Sequence, residues 1–447
     1  MNKDLHIVPR RILSSLIASV SAGVVPRSGA PYMAIGRNDE IAALLNDLER
    51  ISAGEGAIRF IIGRYGSGKS FLIQLVRGYA LEKDFITADA DLSPERRLYG
   101  TNGSGIATYR ELIKNLASKS SPEGGALSKL IAKWITSLRM KLMEQGCDES
   151  NPSFSAKLAA ETSNALKDIE FLVGGFDFAR VITTYYRAFI DGDEDKQSAC
   201  LRWLRGEYSN KTEARHELGF SVSLVINDEN WYECVKLWAV LVRKMGYRGL
   251  VVFIDECVNL YKITNRISRE NNYEKILSMF NDTLQGHAEG LALVFAGTPQ
   301  FLDDTRRGVF SYEALRSRLC DSKYDMQGVK NLNTPILRLT RLSDNELFAL
   351  LKRMTDLFTQ YHGCPQRLTD DDIVSFLQAN LKRVGSDIMV TPREIIRDYM
   401  TVLNILLQNE EISFADIMNS RSGAPSEESN GTSVPAKKTI RAIDIEF

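Results

Sequence analysis

The octapeptide Gly63-Arg64-Tyr65-Gly66-Ser67-Gly68-Lys69-Ser70 decides how the rest of the chain is read. It satisfies G-x-x-x-x-G-K-[ST], and its flanks supply the context that the pattern needs. Ala57-Ile58-Arg59-Phe60-Ile61-Ile62 reads as a short, largely apolar strand, and residues 70–79 read as a helix. The glycines let the loop turn its N–H groups inward on the β- and γ-phosphates of a nucleotide, and the helix N-terminus adds positive potential. Lys69 brings a point charge to the phosphates, and the Ser70 hydroxyl is a ligand for Mg²⁺. Arg64, Tyr65 and Ser67 complete the nucleotide-contacting turn.

Outward from this loop, Leu250-Val251-Val252-Phe253-Ile254-Asp255-Glu256 is a buried-type strand that delivers two carboxylates at its end, where open α/β sheets bind ligands. Asp255 is suited to orient Mg²⁺ and its water shell, and Glu256 to act as base for an attacking water. A third apolar strand, 291–295, runs into Ala296-Gly297-Thr298-Pro299-Gln300. Lying between the two motif strands, it would set Thr298 before the γ-phosphate to position that water; a simple strand-ending turn accounts for Gly297 and Pro299 equally well. Residues 312–319 carry Arg316 and Arg318 two positions apart. At a subunit face one of them would reach a neighbour's γ-phosphate, and the alternative is a solvated pair of helix arginines. Thr391 caps and Pro392 opens a later helix, with Arg393 in its first turn. The helix dipole mildly disfavours a cation there, so an anionic partner suits it.

Strand-type runs at 57–62, 85–88, 250–254, 291–295 and 336–339, separated by helix-length segments, predict an α/β fold with a parallel sheet and crossover helices. The expected organisation is a core in two parts, 35–104 and 249–342, interrupted by a mainly helical insertion at 105–248. A helical lid at 343–418 follows, with helices near 344–358, 370–381 and 392–407. In the N-terminal segment 1–34, apolar positions 12, 13, 16, 17 and 20 form one stripe of an amphipathic helix whose other face is serine. Although Arg10-Arg11 imitates the start of a leader, this stripe predicts a docked helix. Residues 419–447 form a polar tail expected to be disordered. Its last eight residues, 440–447, alternate Ile443, Ile445 and Phe447, which fits either a frayed end or a strand added to a partner or to the chain's own domain.

The 447 residues are 44% apolar and 25% charged, which excludes collagen-like, disulfide-scaffold and wholly disordered classes and suits about two to three compact units. A net charge of −1 gives no global pull toward nucleic acid or an anionic membrane. Six scattered cysteines with no C-x-x-C pair argue against a zinc site or a secreted framework, and free thiols fit a reducing cytoplasm. No apolar run approaches the roughly 20 residues needed to cross a bilayer.

The order Ile35-Gly36-Arg37, the loop at 63–70, Asp255-Glu256, Thr298, Ser317-Arg318 and Thr391-Pro392-Arg393 resembles the AAA+ ATPases, nearest the branch of origin-recognition, clamp-loader and STAND-type proteins. The resemblance implies a P-loop NTPase fold binding ATP and Mg²⁺, with Ile35 and Gly36 near adenine. It makes Thr298 sensor 1, Arg318 or Arg316 the arginine finger, and Arg393 sensor 2. More narrowly, Arg10-Arg11-Ile12-Leu13, the phosphate loop, Leu201-Arg202-Trp203-Leu204-Arg205-Gly206-Glu207, Gly246-Tyr247-Arg248-Gly249-Leu250 and Phe295-Ala296-Gly297-Thr298-Pro299 resemble the ATP-binding proteins of BREX-type phage-defence operons and related ATPases of tellurite-resistance-like gene clusters. That likeness spans about residues 10–405. It implies ATP hydrolysis in cytoplasmic phage defence, self-association, and operon partners such as a helicase, methyltransferase or nuclease. Nucleic acid would be reached through those partners, and no membrane is involved. Alternatives are a nucleotide-gated scaffold without required turnover and an initiator-like DNA-remodelling ATPase. Two departures bear on the last: a polar tail stands where that branch carries a winged-helix domain, and about 185 residues separate Lys69 from Asp255.

Overall fold

The structure is a computed structural model that describes residues 8–148, 151, 153–320, 331–382 and 391–422. Five strands, β1 (Ala57–Gly63), β2 (Ile86–Asp91), β3 (Leu250–Asp255), β4 (Leu291–Gly297) and β5 (Ile336–Leu339), form one sheet in the order β2-β3-β4-β1-β5. β4 therefore lies between the strand that carries the loop and the strand that carries the acid pair, as expected. β1 and β4 are buried at every residue, which is why they read as continuous apolar runs rather than as alternation. Arg59 is the exception within β1. Its guanidinium donates to the Asp47 carboxylate at 2.5 and 2.9 Å and to the carbonyls of Leu332 and Thr334, so the buried charge is paired and its N–H groups are used.

Parallel register aligns the carboxyl ends of these strands. Ile62 pairs with Gly297, Ile254 with Phe295, and Asp91 with Asp255. β2 runs on to Asp91 instead of closing at 88, because its backbone keeps pairing with β3 through both acids.

The described residues fall into two compact units, each with its own core. In one, made from Asp39–Ile62 and Tyr79–Arg338, the core runs without a break from the sheet (Phe60, Ile86, Phe295) into the helical segment between Ser104–Lys114 and Trp231–Lys244. Phe178 packs edge-on against Trp203 and Trp238, and the polar tips of Tyr109, Trp231 and Trp238 are satisfied. Tyr109 donates to the Leu204 carbonyl at 2.7 Å and accepts from Trp238 Nε1 at 3.1 Å, while Trp231 Nε1 donates to the Leu98 carbonyl.

The other unit combines Met1–Asn38, Gly63–Gly78 and Leu339–Phe447. Its helix Arg10–Ser21 buries Leu13, Leu16, Ile17 and Val20 against the helices Asp344–His362 and Pro392–Gln408. The stripe read from sequence is thus a docking face. Two capping boxes, Ser343 with Glu346 and Thr391 with Glu394, start the latter helices, and Pro392 occupies the first helical position. A last helix, Phe414–Ser422, runs past the 418 boundary read from composition. Ser413 caps it through Asp416, and Phe414, Ile417 and Met418 pack on the core at helical spacing. Residues 440–447 lie outside the described residues. Among the described residues no helix is long and apolar enough to cross a membrane.

Candidate functional site

The three glycines of the loop serve three different needs. A Cβ at Gly63 would lie 2.2 Å from Ser67 Oγ, so the end of β1 admits only glycine. Gly66, at φ +74°, would place a Cβ 2.7 Å from Thr391 Cγ2, so the loop rests against the start of the helix Pro392–Gln408. Gly68, at φ +88°, has no heavy atom within 4 Å of where its Cβ would stand. That side of the loop is open.

Lys69 Nζ donates to the carbonyls of Gly63 at 2.8 Å and Arg64 at 3.1 Å, holding the ammonium over the loop. Arg64 and Tyr65 are exposed, and the buried Ser67 hydroxyl lacks a hydrogen-bond partner. The helix Lys69–Glu82 begins at the loop, and its first-turn amides have no i−4 carbonyl within the helix. An ammonium, helix-start amides and an open glycine flank fit a chain of phosphates.

Ile35 is half-buried against the helical core, and a Cβ at Gly36 would lie 2.3 Å from Glu346 Oε1. Arg37, left unassigned by the sequence reading, donates from Nη2 to the Ser67 carbonyl at 3.1 Å and to the Thr340 carbonyl. Arg393 is exposed in the first turn of its helix, with its Cγ 3.8 Å from the Cβ position of Gly23. The segments 35–37, 63–70 and 391–393 are thus gathered in one unit.

The carboxylates stand at the carboxyl edge of the sheet in the other unit. Asp255 and Glu256 are half-buried, and Asp255 Oδ1 accepts from the Glu256 N–H at 2.7 Å. Glu256 has φ +56°, a left-handed conformation that costs a non-glycine residue about 1–2 kcal/mol. Asn259 braces this turn, donating to the carbonyls of Leu92 and Glu256. Asp91, opposite Asp255, lies beyond the strand end read from sequence at 88. Although the residue reaches solvent, its carboxyl is crowded by protein, which raises its pKa first, and the charges of Asp255, Asp89 and Glu256 raise it further against a smaller opposing effect of Arg96. Two acids alternating at a strand end, Asp89 and Asp91, were the signal available for this cluster. Burial, then the charge of Asp255, pushes the Cys257 thiol well above its usual range, so it is an inert neighbour.

Among the described residues no three His, Cys, Asp or Glu side chains converge as a metal cage. Mg²⁺ held by one carboxylate, one hydroxyl and phosphate oxygens needs no such cage.

Thr298 caps the short helix Pro299–Asp303, its hydroxyl accepting from Phe301 N at 3.4 Å and keeping its own O–H to donate. Gly297 is explained by packing alone, since a Cβ there would lie 2.5 Å from Phe301 Cδ1. Arg316 and Arg318 are exposed on the helix Glu313–Leu319 and bond within it. Arg318 donates to the Ala314 carbonyl at 2.7 Å, and Arg316 stands 3.8 Å from Glu313.

A parallel sheet in this order, with a G-x-x-x-x-G-K-S loop leaving β1 and an Asp-Glu pair leaving β3, is a P-loop NTPase-like fold. Its loop defines a nucleotide-binding protein. The chain belongs to the family described as BREX system ATP-binding protein BrxC/D, which it matches over residues 8–422. That match takes in the docked helix Arg10–Ser21 and runs to the end of Phe414–Ser422. No curated protein sequence matches the chain.

Proposed function

We propose that this BREX system ATP-binding protein hydrolyses ATP to ADP and phosphate. What supports the reading above all is the position of β4 between β1 and β3, with strand ends in register: Asp255, Glu256 and Thr298 then leave the same sheet edge as the chain that enters the phosphate loop. In this reading the loop amides and Lys69 hold the β- and γ-phosphates, and Ser70 with Asp255 holds Mg²⁺. The ion, when bound, neutralises phosphate charge and orients the oxygens. Glu256 takes the proton of the attacking water, Thr298 donates to orient that water, and Arg393 reaches the γ-phosphate from the first turn of its helix. Ile35 and Gly36 border adenine. Arg318 or Arg316 comes from a neighbouring copy, so the protein self-associates. It works in the cytoplasm with other proteins of the defence system, such as a helicase, methyltransferase or nuclease, and meets nucleic acid through them.

Glu256→Gln tests the chemistry. Removing the base should lower turnover at least about 100-fold while ATP still binds, and Lys69→Ala should abolish binding itself. Wild-type turnover in Glu256→Gln would overturn the assignment. A Glu256→Gln protein that is inactive in hydrolysis yet still protects cells from phage would move the reading to a nucleotide-gated scaffold.

A further inference from the structure

We propose that Arg37 is a positioning residue that orients the Ser67–Gly68 peptide for phosphate binding; the inference rests on the reading that residues 63–70 hold the phosphates. In a planar trans peptide the carbonyl of one residue and the N–H of the next point in opposite directions. Arg37 Nη2 donates to the Ser67 carbonyl at 3.1 Å, so the Gly68 N–H is directed away from Arg37. Gly68 is the loop residue whose flank is open, at φ +88° and with nothing within 4 Å of a Cβ position. Without this anchor the peptide loses the partner that fixes its carbonyl, and the glycine at φ +88° lowers the steric cost of turning it. A rotated peptide would present a carbonyl, rather than an N–H, to an anionic ligand.

The anchor is itself fixed. The same Nη2 donates to the Thr340 carbonyl, just beyond β5, so one nitrogen joins the loop to the chain that enters the helix Asp344–His362. Gly36 and Arg37 are successive left-handed residues, at φ +69° and +62°. Gly36 lies against Glu346, whose carboxylate accepts from both the N–H and the hydroxyl of Ser343. A left-handed arginine is disfavoured and is kept only where surrounding contacts over-determine it. Those contacts include the two carbonyls. A charged donor also bonds the Ser67 carbonyl more strongly than a neutral side chain would.

The test uses the full chain and ATP, with calorimetry for affinity and amide hydrogen exchange over the loop. Arg37→Ala should weaken ATP binding tenfold or more and speed exchange at residues 66–69 in nucleotide-free protein. Arg37→Lys, which keeps a charged donor, should stay within about threefold of wild type. A residue that only supported the fold would show neither the local exchange change nor the rescue by lysine. Arg37→Met keeps the stem without the donor and answers the same question should Arg37→Ala not fold. Wild-type affinity in Arg37→Ala or Arg37→Met, with binding lost in Lys69→Ala, would overturn the role of Arg37 alone. Wild-type affinity in Lys69→Ala would instead overturn the phosphate-loop reading beneath it.

Discussion

Asp91 faces Asp255 across the β2–β3 pairing, with Asp89 and Glu256 close enough for their charges to raise its pKa. Such a cluster of like charges costs stability whenever no cation offsets it. The sign follows from proton binding. The native state holds the Asp91 proton more tightly than the unfolded chain, whose value is near 3.8, so stability falls as pH rises from that value through the raised native one. Asp91→Asn should therefore raise the melting temperature of nucleotide-free protein at neutral pH, by roughly 1–3 °C. The gain should shrink as pH falls back through the raised native value toward 3.8, below which native and unfolded states differ less in bound protons. Thermal melts across that range check this, and a gain independent of pH would show that repulsion is not its cause. A bound divalent ion reverses the local balance, so the repulsion that weakens the apo site is what a cation would relieve. The places of Lys69 at the loop and of Asp255 and Glu256 at a strand end were legible because each sits inside a contiguous motif. Asp91 and Arg37 were not, because they become partners only through strand order and through a loop carbonyl, neither of which a linear string displays.

At the level of elements, the helix Arg10–Ser21 makes the sharpest case for packing over propensity. Leu16 is wholly buried, and it and Ile12 press so closely on Gly29 that a Cβ there would lie 2.9 and 2.8 Å from their carbons. Leu16→Ala should cost about 2–4 kcal/mol through lost burial and an unfilled cavity, whereas Ser15→Ala on the exposed face should stay within about 0.5 kcal/mol of wild type. Urea unfolding decides, and a Leu16→Ala cost as small as that of Ser15→Ala would refute the docked face. The stripe was readable because one face of this helix is apolar and the other is serine. β1, β3 and β4 were readable because burial on both faces leaves an unbroken apolar run. Arg266–Leu284 was expected only as an unplaced crossover helix between two strands. Its inner face mixes Tyr273, Ile276 and Phe280 with Arg269, Asn272 and Thr283, so hydrophobic periodicity is lost. Asn272 is inside for its hydrogen bonds, accepting from the N–H groups of Leu98 and Tyr99 and donating to the Tyr99 carbonyl. Ser153–Glu170, Glu194–Leu204 and Lys211–Leu218 lie in the segment read from sequence only as mainly helical.

For the whole molecule, the open question is whether one copy suffices for turnover. Net charge of −1 gives a lone chain little long-range attraction to DNA, which favours action through assembly and partners. Arg316 and Arg318 are exposed, and their bonds within their own helix are of the kind that solvent replaces at little cost. In the proposed reading either would leave that helix surface for a neighbour's phosphates, where a finger arginine accelerates turnover by about 10³–10⁵-fold. Activity per molecule should therefore rise with protein concentration, and the Arg316→Ala/Arg318→Ala double variant should bind ATP normally yet turn over slowly. Mixing makes the test specific to a neighbour's arginine. The double variant retains Glu256 but offers no finger, while Glu256→Gln offers fingers but no base. Mixed in equal amounts in a head-to-tail assembly, about one site in four should join an intact base to an intact finger, so activity should reappear from two inactive proteins. The single variants then show which arginine acts. No recovery on mixing, together with turnover independent of concentration, would place the whole reaction within one copy and leave both arginines as solvated surface charge.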